Sequence, residues 1–239
     1  MSSLLRTWDA TSNDRVDHFF VNSTFVGKRV DRYYGRHDWE TLSPPIELDR
    51  FAAAQHLPRL IDEPYFLAAG ALVSYKRFDL AIEAAEAAGR RLVVAGEGPY
   101  AGRLKSMAGP NTTFESAPPD HRWDSLLANA EALIFPGVED FGMIAIESMA
   151  AGTPVIAAAQ GGALDFIIPG KTGMFFPPGD RQTLSNILQY FDKTSIALPP
   201  LESLNASYGK DRFLQAFREK IVHICTPSGI QAIHISSFA

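Results

Sequence analysis

Two rhythms of hydrophobic and polar positions alternate along most of this chain. Short segments favouring extended backbone are separated by segments in which apolar residues return every three or four positions. Runs of the first kind read as buried strands and those of the second as amphipathic helices. The predicted strands are 65–73, 91–95, 112–115, 132–135, 154–158 and 173–176. The predicted helices are 77–88, 100–107, 123–130, 142–151, 181–191 and 210–221. Within the first helix, Phe78, Leu80, Ala81, Ala84 and Ala85 fall on one face, and Gly152 closes the apolar helix 142–151. Regular alternation with apolar strands predicts an α/β fold: a Rossmann-like, doubly wound parallel sheet covered on both faces, with right-handed crossovers. Ahead of it, 16–22 (VDHFFVN) is a β-rich run followed by a helical pattern at Phe25, Val26, Val30, Tyr33 and Tyr34. Ser23 is placed to cap that helix and Gly35 to stop it. Pro44 and Pro45 disfavour helix, so 36–62 reads as a connector. The segment after Ile224 has no clear period.

Composition narrows the class. The 239 residues are 46% hydrophobic and 21% charged, values of a globular rather than a disordered chain. A net charge of −5 is the opposite of a nucleic-acid footprint, so no nucleic-acid partner is expected. One cysteine, Cys225, rules out an intramolecular disulfide and fits a reducing compartment. No apolar stretch approaches the ~20 residues of a membrane-spanning helix. The first residues carry charge where a signal peptide needs an apolar centre. The expected location is the cytoplasm.

Ligands of doubly wound sheets sit beyond the carboxyl ends of the strands, so the loops there were searched for chemistry. The first holds Lys76 and Arg77 just ahead of a helix, where the positive end of the helix dipole disfavours cations unless an anion lies nearby. The alternative is a solvated surface pair. The second loop, Gly96-Glu97-Gly98-Pro99-Tyr100-Ala101, matches the dinucleotide fingerprint, with Glu115 about 20 residues on, but follows the second strand rather than the first. A tight glycine turn explains it better. In the fourth loop, Glu139 stands at a strand end and Glu147 on the following helix. Between them Phe141, Gly142, Met143 and Ile144 offer N–H groups of a helix start. Two such carboxylates suit ligand hydroxyls, and the amides suit a diphosphate. The apolar neighbours of Glu147 imply burial, and a buried carboxylate needs partners. Gly161 and Gly162, in the fifth loop, permit close backbone approach. Gly170-Lys171-Thr172 fails as a P-loop because Asp165 occupies its first glycine position. No Asp-x-Asp pair, clustered His/Cys spacing or G-x-S-x-G elbow is present.

Taken together, NSTFVGKRVDRYYGR (22–36), PPIELDRF (44–51), ALVSYKRFDLAIEAA (71–85), VVAGEGP (93–99), PGVEDFGMIAIESMAAGTPVIA (136–157) and GGALDFIIPGKTGMFF (161–176) resemble the family 4 retaining glycosyltransferases, which have the two-domain GT-B fold. SYKRFDLAIEA and the upstream YYGR are most similar to bacterial mannosyltransferase-type members that build lipopolysaccharide or exopolysaccharide. The resemblance implies that Lys76 binds the donor diphosphate, that Glu139 meets hydroxyls of the donor sugar, and that Glu147 holds the ribose. Backbone amides of Phe141, Gly142, Met143 and Ile144 would contact sugar and phosphates. Gly96 and Gly98 would line the nucleotide site, and the segment from Glu115 to Pro119 would flank the base. Many family members carry an arginine where this chain has Ala71, and Arg77 is the residue that could compensate.

The resemblance also implies a nucleotide-sugar donor, a glycan or lipid-linked glycan acceptor, transfer without metal or other cofactor, and peripheral membrane contact at the inner face in a full-length form. It divides the chain into 1–62, a remnant of an acceptor domain plus linker, 63–222, the donor domain, and 223–239, a tail. A chain so divided is expected to transfer sugar poorly by itself. The alternatives are a non-catalytic nucleotide-sugar-binding module or a subunit completed by another chain, and, on the glycine turn alone, an NAD-dependent oxidoreductase.

Overall fold

A computed structural model describes residues 2–225. The chain opens with α1 (Ser2–Ser12), β1 (Phe19–Val21), α2 (Thr24–Tyr34), β2 (Trp39–Thr41) and α3 (Leu48–Ala54). It continues with β3 (Phe66–Ala69), α4 (Phe78–Ala88), β4 (Leu92–Ala95), α5 (Ala101–Met107), β5 (Thr112–Glu115), α6 (Asp120–Asn129), β6 (Leu133–Phe135) and α7 (Met143–Ala150). Then come β7 (Val155–Ala158), β8 (Gly173–Phe176), α8 (Arg181–Tyr190), α9 (Leu201–Tyr208) and α10 (Lys210–Cys225).

β3 to β8 form one parallel sheet in the order β5-β4-β3-β6-β7-β8. Side chains of a strand point alternately to its two faces, and the packing follows that alternation. Leu67, Ala69, Val93, Leu133, Phe135 and Val155 pack with α3, α6, α7 and α9. Phe66, Ala68, Leu92, Val94, Ile134 and Ile156 pack with α4, α5 and α8 on the other face. Strands buried on both sides must be apolar throughout, which is why the sequence signal was continuous.

Several boundaries differ from the pattern. Strand 65–73 stops at Ala69, because Gly70 turns the chain at φ 135° and Leu72 N–H bonds to the Glu97 carbonyl at 2.7 Å. The connector 36–62 contains β2 and α3, and Leu48 and Phe51 of α3 belong to the core. The two prolines mark only the bend between them. α1 and α9 had no periodic signal strong enough to predict, and α6 begins three residues before the predicted start, at Asp120. α10 extends past 221 to Cys225; the remainder of the tail, 226–239, lies outside the described residues.

The first strand–helix unit forms as expected. The Ser23 hydroxyl accepts the Val26 N–H, and Gly35 ends α2 in the left-handed region. β1 pairs in parallel with β2, forming a separate two-stranded sheet. α2 covers it, with Phe19 stacked on Tyr34 and Gly27 leaving room for the Trp39 ring. α10 then returns from the large sheet to this unit. Phe217 meets Phe20 edge-on, Lys220 pairs with Glu40, and Ile46 N–H bonds to the Tyr208 carbonyl at 2.9 Å.

The glycine turn after β4 has a packing role. A Cβ on Gly96 would stand 2.0 Å from the Gly70 carbonyl oxygen, and one on Gly98 would stand 2.4 Å from that of Leu72. The turn thus lies directly against the loop that follows β3. Gly96→Ala, which adds both the clash and a strained positive φ, should cost about 3 kcal/mol. Gly102→Ala, in open space within α5, should instead stabilise by up to ~1 kcal/mol. Urea denaturation of the two variants checks the contrast; equal effects would remove this account of Gly96.

Candidate active site at the strand-order reversal

The strand order reverses between β3 and β6, the place where doubly wound sheets open a crevice. The chain leaves β3 toward α4 on one face and leaves β6 toward α7 on the other. A cleft of about 710 Å³ lies there, lined by both post-strand loops, by the start of α7 and by Asn22 and Pro44 of the N-terminal region.

Lys76 and Glu139 face each other across it. Lys76 Nζ donates to Glu139 Oε1 at 2.8 Å, and their side chains are 12% and 19% exposed, so the pair is largely withdrawn from water. Two glycines allow this. Lys76 Nζ lies over Gly70, where a Cβ would be 3.1 Å away, and the Lys76 backbone lies against Gly137, where a Cβ would be 2.6 Å from Lys76 Cα. The loop after β6 is built closely as well. Gly142 takes φ 106° at the N-terminus of α7, and a Cβ there would come 2.7 Å from the Phe135 ring. Phe141 is buried against Phe166 and Tyr208. No side chain caps α7, and Gly142, Met143 and Ile144 line the cleft, so its first-turn N–H groups remain available to an anion.

Glu147 lies one turn further along α7 on the same cleft. Among the described residues no side chain or amide forms a hydrogen bond or ion pair with its carboxylate. Burial pushes its pKa up, Arg50 pulls it down and Asp124 pushes it up again. Arg50 cannot neutralise it fully because its guanidinium already makes a two-pronged contact with Asp124, at 3.0 and 2.9 Å. The expected partners of this carboxylate are therefore absent from the protein side.

The remaining predicted residues stand elsewhere. Ala71 is exposed beyond β3 and does not line the cleft. Arg77, in the left-handed region, turns its guanidinium to Asp79 at 3.1 Å and is already paired. Gly96 and Gly98 support the neighbouring loop. Glu115 is held by Arg122, through a 2.9 Å contact to Oε2 and a second prong to Oε1, and this pairing lowers its pKa. The acid that a dinucleotide site would need for ribose is thus already engaged, and the Gly96 turn is explained by packing. Cleft residues not singled out in the sequence are Gly70, Tyr75, Trp123, Val138 and Asp140, with Asn22 and Pro44. Val138 and Asp140 lie within the identified loop 136–147, and Trp123 is an aromatic in the first turn of a helix that meets α7. Neither signal specifies a cleft without the topology.

A second cavity, of about 630 Å³, opens between the N-termini of α3 and α10 and touches none of the predicted residues. Among the described residues no group of three or more His, Cys, Asp or Glu is placed to hold a metal ion, and no helix is long and apolar enough to cross a membrane.

Comparison with known proteins agrees with this geometry. Residues 50–197 match the family model described as glycosyl transferases group 1. The D-inositol 3-phosphate glycosyltransferase of Mycobacterium tuberculosis is 29% identical over 180 residues, covering 67% of this chain and 38% of that protein. The chain thus spans well under half the length of the curated relatives it matches. Sucrose-phosphate synthase from Thermosynechococcus elongatus superposes with a TM-score of 0.75 at 23% identity, over 91% of this chain and 62% of that one. HepE from Anabaena, solved with UDP and glucose, gives 0.76 at 17% identity, over 92% and 67%.

Glu147 generates a stability prediction. Its raised pKa means that the fold is favoured by the protonated form. That stability is complete below the ordinary value of 4.5 and is lost as pH rises through the raised one. Glu147→Gln should therefore raise Tm of the ligand-free protein at pH 7, and by much less below pH 4.5. Calorimetric scans at both pH values decide it; a lower Tm at pH 7 would contradict the account.

Proposed function

The chain belongs to the glycosyl transferases group 1 family, and on that premise we propose that it is the nucleotide-sugar-binding portion of a glycosyltransferase. One observation carries the reading: the buried Lys76–Glu139 pair, the uncapped start of α7 and the unpartnered Glu147 all line a single cleft at the strand-order reversal. In this reading the donor diphosphate lies against Lys76 and the first-turn amides of α7, where charge-assisted hydrogen bonds and the helix dipole both favour it. Glu139 receives hydroxyls of the donor sugar. Glu147, extended from the rigid helix, receives the ribose diol, and those hydroxyls supply the partners its carboxylate lacks. Backbone N–H groups of Phe141, Gly142, Met143 and Ile144 contact sugar and phosphates.

The sugar proposed is mannose carried by GDP and transferred with retention, without metal, to a glycan or lipid-linked glycan in polysaccharide assembly on the cytoplasmic side of the membrane. This finer reading rests on the SYKRFDLAIEA and YYGR segments. That HepE was solved with UDP and glucose supports a nucleoside diphosphate in this cleft and makes UDP the competing base. In the transfer, the bond from the sugar's anomeric carbon to the diphosphate breaks and a bond to the acceptor oxygen forms. Lys76 and the α7 amides stabilise the charge that gathers on the leaving diphosphate.

The division of the chain into 1–62, an acceptor-domain remnant with linker, and 63–222, the donor domain, belongs to the same proposal. A second reading is favoured by the two-stranded β1–β2 sheet, which provides little acceptor platform. It is a binding module, or a subunit completed by another chain.

Calorimetry with GDP, UDP, GDP-mannose and UDP-glucose tests the donor site, and no binding at millimolar concentration would sink it. Lys76→Ala and Glu147→Ala should each weaken binding roughly tenfold to hundredfold, the worth of a hydrogen bond to a charged group. An unchanged affinity in a folded variant would remove that residue from the site. Poor or absent sugar transfer by this chain alone is expected, because positioning both reactants needs an acceptor surface; robust turnover would overturn the second reading.

A further inference from the structure

The loop that carries Glu139 is held by contacts outside the cleft. On one side, Gly162 N–H donates to the Glu139 carbonyl at 2.9 Å. The approach there is close: a Cβ on Gly161 would stand 2.7 Å from the Glu139 carbonyl oxygen, and one on Gly162 would stand 2.5 Å from that of Asp140. On the other side stands α2. Ser23 is completely buried, and its hydroxyl has two roles. It accepts the Val26 N–H as the helix cap, at 3.2 Å, and donates to the Asp140 carbonyl. The single hydroxyl proton serves one acceptor at a time, and Asp140 is nearer than Asn22 Oδ1 at 3.2 Å. Arg29 Nη1 meets Asp140 Oδ1 at 2.6 Å. The two supports are also joined to each other, since Thr24 N–H donates to Asp165 Oδ2 at 2.7 Å. Three segments distant in sequence therefore close a ring of polar contacts around one loop.

We propose that Ser23 and Arg29 are positioning residues of the donor site: by holding Asp140 they set where the adjoining Glu139 stands opposite Lys76. The inference rests on the reading that Glu139 meets the donor sugar. The Asp140 carbonyl lies in the peptide unit next to the one that Glu139 and Asp140 share, so its displacement turns Asp140 and, through its Cα, the backbone that aims Glu139. Glu147 is fixed by the hydrogen bonds of α7 and stands outside the ring. The contact therefore acts on the sugar end of the cleft and spares the ribose end. It also makes the donor-sugar contact depend on how the β1–α2–β2 unit is seated.

The two supports differ in strength. Arg29 and Asp140 are 48% and 54% exposed, and an exposed ion pair contributes little. The Ser23 bond is sheltered, and its loss strands a carbonyl.

The experiment is calorimetry on the full chain, using whichever pair the wild type binds, GDP with GDP-mannose or UDP with UDP-glucose. The quantity read is the ratio of nucleotide-sugar affinity to nucleoside diphosphate affinity. Diphosphate affinity should fall by less than nucleotide-sugar affinity. The ratio should fall about threefold in Arg29→Ala and about tenfold in Ser23→Ala. Arg29→Asp should lower it too, and the reversed pair Arg29→Asp with Asp140→Arg should restore it. Ser23→Ala also removes a helix cap; if it does not fold, the Arg29 variants, which lie on the surface, carry the test. An unchanged ratio, or equal losses for both ligands, overturns the proposal and leaves the donor site standing. A wild type that binds neither pair removes the donor-site reading itself, and this inference with it.

Discussion

The structure depends on one topological constraint, that β3 and β6 are neighbours whose chains depart to opposite faces of the sheet. The loops that follow them meet over their carboxyl ends and line the cleft there. Those loops must come within hydrogen-bonding distance without Cβ atoms in the way: a side chain at Gly137 or Gly142 would collide with backbone or ring, and one at Gly70 would crowd Lys76 Nζ. Lys76 and Glu139 occupy the gap. An ion pair so withdrawn from water is weak evidence for stability, because desolvation offsets most of the attraction. Its presence is better understood as two charged groups kept ready for a ligand.

The same cleft leaves other groups unsatisfied. Glu147 is buried far enough for its pKa to rise, yet among the described residues no donor reaches it and no side chain caps the start of α7. Some such needs are met elsewhere. Ser23 caps α2, Asp180 caps α8, and Glu86 accepts from Gly109, Asn111 and Thr112. A helix start without a side-chain cap is common in this fold, as at α3, α4, α5, α6 and α9; what marks this place is a withdrawn carboxylate without partners beside a withdrawn ion pair, where local rules are broken at a cost in stability.

The N-terminal unit is tied to the large sheet at both ends of the chain. α2 bonds to the Glu139–Asp140 loop and to Asp165, while α10 returns from the large sheet and packs Phe217 and Lys220 on β1 and β2. A parallel pair of three-residue strands buries little by itself. Its seating comes from these contacts, so the unit and the site loop stabilise one another.

What the amino-acid sequence determined by itself was local. Apolar strand and amphipathic helix periods specified a parallel α/β sheet, because strands covered on both faces must be apolar at every position. Ser23 and Gly35 marked the ends of α2 through capping chemistry that needs no distant partner. The block around Glu139 and Glu147 was legible because a loop carboxylate, a helix start and a helical carboxylate lie within a few residues of each other. What only the tertiary structure decided was which loops meet. The strand order put Lys76 opposite Glu139, 63 positions away, and put the Gly96 turn against Gly70 and Leu72. It engaged Glu115 with Arg122 and Arg77 with Asp79, and it brought Ser23 to a carbonyl 117 positions distant. α3 was hidden behind two prolines, since its core-facing Leu48 and Phe51 make sense only against a sheet not yet formed. Periodicity records which face of an element is buried; the identity of the neighbour that buries it depends on the path of the whole chain.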